Sequence, residues 1–343
     1  MSRDRRWLAR LTTALLAACL PACSSGTPSG HGSGTPLAHG SAKPSARGSA
    51  ARHHHSAGGR PSSPNQAGRS PDELPHFVLG AVTTDLPAFD AAIRHRANLR
   101  VMFIRLGSTY FPAREIVQDA SLGAQTVIEI QPRYSTLAQV ASGTSDRWLR
   151  DVFAKKVTAL GHAVIVSFAP EMNGQWYNYG SGRAAPSVFV QAWRHVHGVL
   201  TSTPAGRLIS WIWQPMAIHF GTASPKPWWP GWQYVNEVGI DGYYVSPKDT
   251  FTLIFGKTIR VIRSLTRMPI LIGEVAVGPS TGRQPGDIKN LFAGIRNYHL
   301  RGLVWFDISQ HNGHYHQDWR LQDYPPALSS FVIQVAQAAR RRR

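Results

Sequence analysis

Apolar positions in this chain are gathered into short runs separated by amphipathic stretches, and that alternation begins only after about residue 72. Runs rich in Val, Ile, Leu, Phe and Trp occur at residues 77–82, 101–106, 126–130, 163–168, 208–213, 238–244, 269–274 and 302–307. Their length and β-branched content predict strands buried on both faces. Between several of them the apolar spacing changes to the helical period, as in residues 146–160 and in residues 187–200 after Pro186. Strands alternating with helices predict parallel pairing, and eight of them predict closure into an α/β (β/α)8 barrel over residues 73–339, a size normal for one such domain. No internal repeat stands out.

The first 72 residues follow another pattern. Arg3, Arg5, Arg6 and Arg10 lead into an apolar run at residues 11–18 that is short for a membrane span and has the shape of a signal peptide. The two cysteines of the chain, Cys19 and Cys23, each follow a small-residue tripeptide (LAA and LPA) that resembles a bacterial lipobox. Processing before Cys23 leaves the longer apolar core and is the preferred reading. Cys19 is the second candidate, and an ordinary signal peptide that takes both cysteines with it is the alternative. The expected location is extracellular or at the cell surface, held to the envelope or membrane by a lipid. Residues 24–72 are Ser, Gly, Pro, Ala and His with almost no large apolar side chain, so they cannot offset the entropy of ordering and are expected to form a flexible linker. The run His53, His54, His55 within it is read as low-complexity sequence, not as a catalytic metal site.

The formal net charge is +18. More than half of that excess lies in residues 1–72 and in the tail at residues 340–343, where it favours an anionic envelope over base recognition, and no nucleic-acid module accompanies it. Nucleic acid is therefore not an expected partner.

Candidate chemistry concentrates in residues 167–180, SFAPEMNGQWYNYG. A buried-looking strand runs into Pro170, which ends its ladder, and then into Glu171 with Trp176, Tyr177 and Tyr179 close behind. A carboxyl at a strand end beside flat aromatic surfaces suits sugars, whose C–H faces stack on rings while their hydroxyls bond to Asn, Gln and carboxylates. This loop resembles the acid/base motif of glycoside hydrolase family 26, the β-mannanases and related endo-β-glycanases of the retaining (β/α)8-barrel clan. Residues 269–276, PILIGEVA, are similar to the family's nucleophile strand. VGIDGYY at 238–244 and GLVWFDI at 302–308, with Asp318, Trp319 and Arg320 after it, follow in the family's order.

The resemblance implies a hydrolase using Glu171 as acid/base and Glu274 as nucleophile, with no metal or organic cofactor. Both would project from the C-terminal barrel face, and retention calls for carboxyls about 5 to 5.5 Å apart. It further implies substrate-binding or shaping roles for Asn173 and Trp176 beside the acid, for Tyr243 beside the nucleophile and for Trp305 as the floor of the reacting subsite. Core packing is the alternative for Tyr243 and Trp305, and loop capping for Asn173. The indoles of KPWWPGW, Trp228, Trp229 and Trp232, are either outer sugar platforms or a hydrophobic lid, and His311, His314 and His316 are read as cleft wall, not as a zinc site.

The chain departs from the family pattern at Pro170, where mannanases usually carry His, and at Gln131, where a Glu is expected. β-1,4-Mannan is thus the first expected substrate, with β-1,3-xylan or mixed-linkage β-glucan as the alternative. A barrel that only binds surface polysaccharide is the reading outside catalysis.

Overall fold

The computed structural model describes residues 77–310 and 315–340. The signal-peptide and lipobox readings, the linker with its three histidines, His311, His314 and the last three arginines lie outside the described residues.

Eight parallel strands close into a barrel in chain order: β1 Val78–Val82, β2 Leu99–Arg105, β3 Gln125–Gln131, β4 Val164–Phe168, β5 Ile209–Trp213, β6 Glu237–Asp241, β7 Ile270–Val275 and β8 Gly302–Phe306. Closure is made by β1 against β8, in register from Val78 opposite Gly302 to Val82 opposite Phe306. Every residue of β1, β4, β6, β7 and β8 is buried, as expected where side chains fill the barrel on one face and meet a helix layer on the other. The expected strands are all present, with boundaries moved by no more than a few residues.

The outer layer contains α1 Leu86–Ile93, α2 Ala113–Ser121, α3 Leu137–Ala141, α4 Lys155–Leu160, α5 Pro186–Thr201, α6 Phe251–Leu265, α7 Gln284–Asn297 and α8 Pro325–Arg340. Local chemistry sets several ends. Asp85 accepts from the Ala88 N–H at 3.0 Å at the start of α1. Thr136 and Gln139 form a reciprocal capping box on α3. The expected helix over 146–160 is one helical run whose middle, Leu149–Ala154, widens to π-helical hydrogen bonding before α4. Arg340, read as the first residue of a solvated tail, is the last residue of α8.

No α-helix joins β5 to β6. That crossover is three short 3-10 turns, Ile218–Phe220, Lys226–Trp228 and Trp232–Tyr234. The tryptophan-rich segment takes the helix's place. Trp228 is buried, Trp229 meets Trp213 edge-on at 5.1 Å between ring centres, and Arg194 of α5 donates to the Pro230 carbonyl at 2.8 Å. Trp213 shares a strand face with Trp211, which packs on Trp193 and His197 of α5, so these indoles fill the outer flank of the barrel. Trp228 and Trp229 are thus wall residues of this flank, and Trp232, 67% exposed, is not packed into it.

Candidate active site

Glu171 stands three residues beyond the end of β4, in a loop under backbone strain. Ala169 and Glu171 have φ of 48° and 55°, left-handed values unfavourable for residues with a Cβ. The Glu171 N–H is held by the Gln214 carbonyl at 2.7 Å and its own carbonyl accepts from Gly174 at 2.9 Å, so the strain is fixed from both sides. Trp176 folds back over Gly174 and donates its indole N–H to Glu171 Oε2 at 2.7 Å. Gly174 is needed there because any Cβ would enter the indole ring.

Glu274, near the end of β7, is buried, and the Tyr243 hydroxyl, just beyond β6, donates to its Oε2. Tyr243 is in turn enclosed by aromatic rings: Phe306 edge-on at 5.8 Å, Trp319 at 5.2 Å and Tyr315 at 5.3 Å. Burial raises the Glu171 carboxyl to about 7, against the opposing pull of Trp176, Tyr177 and Arg133. Burial and then the charge of Glu171 raise Glu274 to about 8, against the Tyr243 hydrogen bond. Both shifts run upward, so the pair resists carrying two negative charges at once. When Glu171 is protonated, the repulsion that raises Glu274 disappears and the Tyr243 hydroxyl favours charge on Glu274.

A second carboxylate pair lies in the same interior. Gln214, just after β5, donates from Nε2 to Glu129 Oε1 of β3 at 2.7 Å and to both oxygens of Asp241 of β6 at 3.0 and 3.1 Å. β3 and β5 are not neighbours in the sheet, so this bond crosses the barrel interior. Gly273 makes room for it, since a Cβ there would sit 2.7 Å from Asp241 Oδ1. Glu129 and Asp241 are held well above the usual carboxylate range, chiefly by burial and then by the charges of Glu274 and Glu171.

Of the residues expected at the site, Glu171, Trp176, Glu274 and Tyr243 come together. Trp305 does not. It pairs in register with Ala81 and packs at 5.0 Å on Phe331 of α8 in the outer layer, with its N–H on the Trp319 carbonyl at 3.0 Å. Strand alternation puts Phe306 inward in its place, and Trp305 is a core residue that anchors Trp319. Asn173 is fully buried, with its amide spent on the loop after β5: it donates to the carbonyls of Met216 and Ala223 at 2.8 and 2.9 Å and accepts from the Met216 N–H at 2.8 Å. It positions the acid's loop and has no donor left for a sugar.

Sequence reasoning gave no role to Glu129, Gln214, Asp241 or Trp319. The first two carried a signal: each is a polar residue set in an apolar strand run, TVIEIQP and WIWQP, which is unfavourable unless the polar group has an interior partner.

Two carboxyls with raised pKa values, brought together at the C-terminal end of an eight-stranded barrel, are the equipment for cleaving a glycosidic bond. The family model for glycosyl hydrolase family 26 matches residues 146–320, just over half of the chain, and that span contains both glutamates. This chain belongs to glycosyl hydrolase family 26. It is a glycoside hydrolase. Among solved structures it is similar to a modular endo-β-1,4-mannanase from Cellulomonas fimi, with 14% identity, a TM-score of 0.62, and coverage of 76% of this chain and 70% of that one. The catalytic domain of the Bacillus sp. JAMB-750 family 26 endo-β-1,4-mannanase gives 15% identity, a TM-score of 0.60, and coverage of 77% and 86%. A family 26 β-mannanase from Bacteroides ovatus gives 15%, 0.53, and 71% and 80%. At these identities the likeness is one of fold. A comparison with curated proteins finds no match.

Proposed function

We propose that this family 26 hydrolase is an exported endo-β-glycanase that cuts β-1,4-mannan by retaining double displacement. The observation that carries the mechanism is that Glu171, held by the Trp176 N–H, lies close enough to Glu274 for its charge to act there, while Tyr243 donates to Glu274. Glu171, whose carboxyl is raised by burial toward the protonated form and is partly exposed, gives its proton to the leaving glycosidic oxygen. Glu274, ionised under the Tyr243 hydroxyl, attacks the anomeric carbon and becomes the glycosyl ester. That step removes its charge, so the pKa of Glu171 falls. The Glu171 carboxylate, having given up its proton, takes one from the incoming water, whose oxygen bonds the anomeric carbon as the ester bond to Glu274 breaks. Trp176 keeps the acid oriented, and Trp319 with Phe306 holds Tyr243 against the nucleophile. No organic cofactor enters this sequence of steps.

Support for mannan comes from the similar barrels of Cellulomonas fimi and Bacillus sp. JAMB-750, both endo-β-1,4-mannanases. Pro170 and Gln131 favour a second reading within the family, β-1,3-xylan or mixed-linkage β-glucan, because both alter groups beside the acid. Product analysis after incubation with mannan, β-1,3-xylan and mixed-linkage glucan separates these, and cleavage of none of them would leave a polysaccharide-binding role. Retention is tested by NMR of the first anomer released, and an inverted product overturns the mechanism. We further propose anchoring by a lipid on Cys23, or on Cys19. Labelling of the intact chain with radioactive palmitate, lost in Cys23→Ala or Cys19→Ala, decides between them, and no label on the unaltered chain rejects both.

A further inference from the structure

The cleft wall made by the ends of β2 and β3 carries two guanidinium groups, Arg105 and Arg133, of which the hydrolytic reading uses one. Glu129 points into the barrel, as its bond to Gln214 shows, and Phe103 is its register partner on β2. Two residues further along both strands, Arg105 and Gln131 are again partners and therefore project from the same face, into the mouth of the barrel. Arg133 lies just beyond. Its Nε donates to Gln131 Oε1 at 2.9 Å and its guanidinium lies 4.9 Å from the centre of the Tyr177 ring, beside Glu171. Asn178 binds this wall to the acid's loop through the Pro132 carbonyl at 3.2 Å.

Arg133 has an evident task, since it lowers the pKa of Glu171. Arg105 has none of that kind. It is exposed, it pairs with no carboxylate among the described residues, and it is not one of the groups that shift Glu129, Glu171, Asp241 or Glu274. Its polar partner is the hydroxyl of Tyr134 at 3.1 Å, and that ring is 81% exposed. The Arg105 guanidinium also lies over one face of that ring, 5.3 Å from its centre, so the opposite face offers a sugar a stacking surface with a cation at its edge. A neutral sugar uses the first and leaves the second idle. A sugar bearing a carboxylate uses both, because a guanidinium fork matches a carboxylate in charge and in geometry.

Resting on the glycanase reading, we propose that the β2–β3 side of the cleft is a subsite for a carboxylate-bearing sugar, with Tyr134 as the stacking surface and Arg105 as the ion-pairing group. The preferred substrate is thus an acidic β-glycan, one in which a uronate occurs in or on the chain.

The test compares one backbone in two forms: β-1,4-mannan and the same mannan partly oxidised at C6 to uronate. With the full chain, kcat/KM on the oxidised form should exceed that on the neutral form by about tenfold, the worth of one charge-assisted pair. The ratio should shrink as salt is added, because an exposed pair is screened. In Arg105→Ala it should fall to about one, and Arg105→Lys, which keeps the charge without the fork, should retain part of it. Arg105 is exposed, so neither change threatens the fold. Equal or better cleavage of neutral mannan by the unaltered chain, or a preference that survives Arg105→Ala, overturns the inference while leaving the glycanase reading intact. If neither form is cut, that reading fails and calorimetric binding decides the inference. Using Glu171→Gln full chain, tighter binding of the oxidised oligosaccharide that is lost on adding Arg105→Ala supports the subsite, and equal binding rejects it.

Discussion

Two loops on neighbouring strands are built from the same kinds of residue and come to opposite ends. GQWYNY after β4 and KPWWPGW after β5 are both rich in aromatics, Gly and polar residues. In the first, Trp176 closes over the acid and donates to it. In the second, Trp228 and Trp229 turn away from the mouth and fill the flank where a helix is missing. The difference is where the polar atoms find partners. The Trp176 N–H has a carboxylate within reach, whereas the Trp228 and Trp213 N–H groups are buried without a partner among the described residues, a cost tolerated for the apolar area the rings cover. A cluster of indoles in sequence marks a surface to be covered, and it does not say whether a sugar or the barrel wall will be covering it.

The contrast between cleft and flank can be measured. The largest effect belongs to the carboxyl pair: Glu274→Ala should lower turnover by about 10⁴-fold or more, with activity restored by azide as an inverted glycosyl azide. Glu171→Ala should instead spare the glycosylation step of substrates with very good leaving groups. If azide gives an inverted product with the Glu171 variant, the two roles are exchanged. Next, Trp228→Ala should cost about 3 to 5 kcal/mol of stability in a denaturant titration, while activity per folded molecule is kept. A Trp228 variant that folds normally but loses turnover would bring that loop back into the cleft.

Smaller effects concern protonation. Trp176→Phe removes a hydrogen bond that favours ionised Glu171, so its pKa should rise and the alkaline limb of the activity profile should move up by about one pH unit, with little change in stability. An unmoved or lowered limb would show that the indole does not act on the acid. In the buried layer, Glu129 has a folded pKa above its unfolded value, so the folded state binds more protons there and stability is lost as pH rises from the unfolded value toward the folded one. Glu129→Gln should therefore raise the Tm more at pH 8 than at pH 5, and equal shifts would contradict a raised pKa. The smallest effect is expected at Trp232, which is 67% exposed: Trp232→Ala should change stability by no more than about 0.5 kcal/mol and leave turnover unaltered.

Taken alone, the sequence specified the barrel and the pair of glutamates. Eight apolar runs of strand length, separated by helical periods, have few ways to bury their surface other than a closed parallel sheet, and β1 to β8 follow those runs. Glu171 and Glu274 were legible because each ends such a run in a motif of its family. Which side of a strand faces the interior was not. When both faces are buried, the period of two loses its polar half, and Trp305 and Phe306 look equally able to face a substrate. Tertiary packing chose Phe306 for the mouth and set Trp305 against α8. It also brought Gln214 from β5 to Glu129 on β3 and spent Asn173 on the loop after β5. Those partners are distant in sequence, and only closure of the barrel brings a lone polar residue in one strand to the lone polar residue in another.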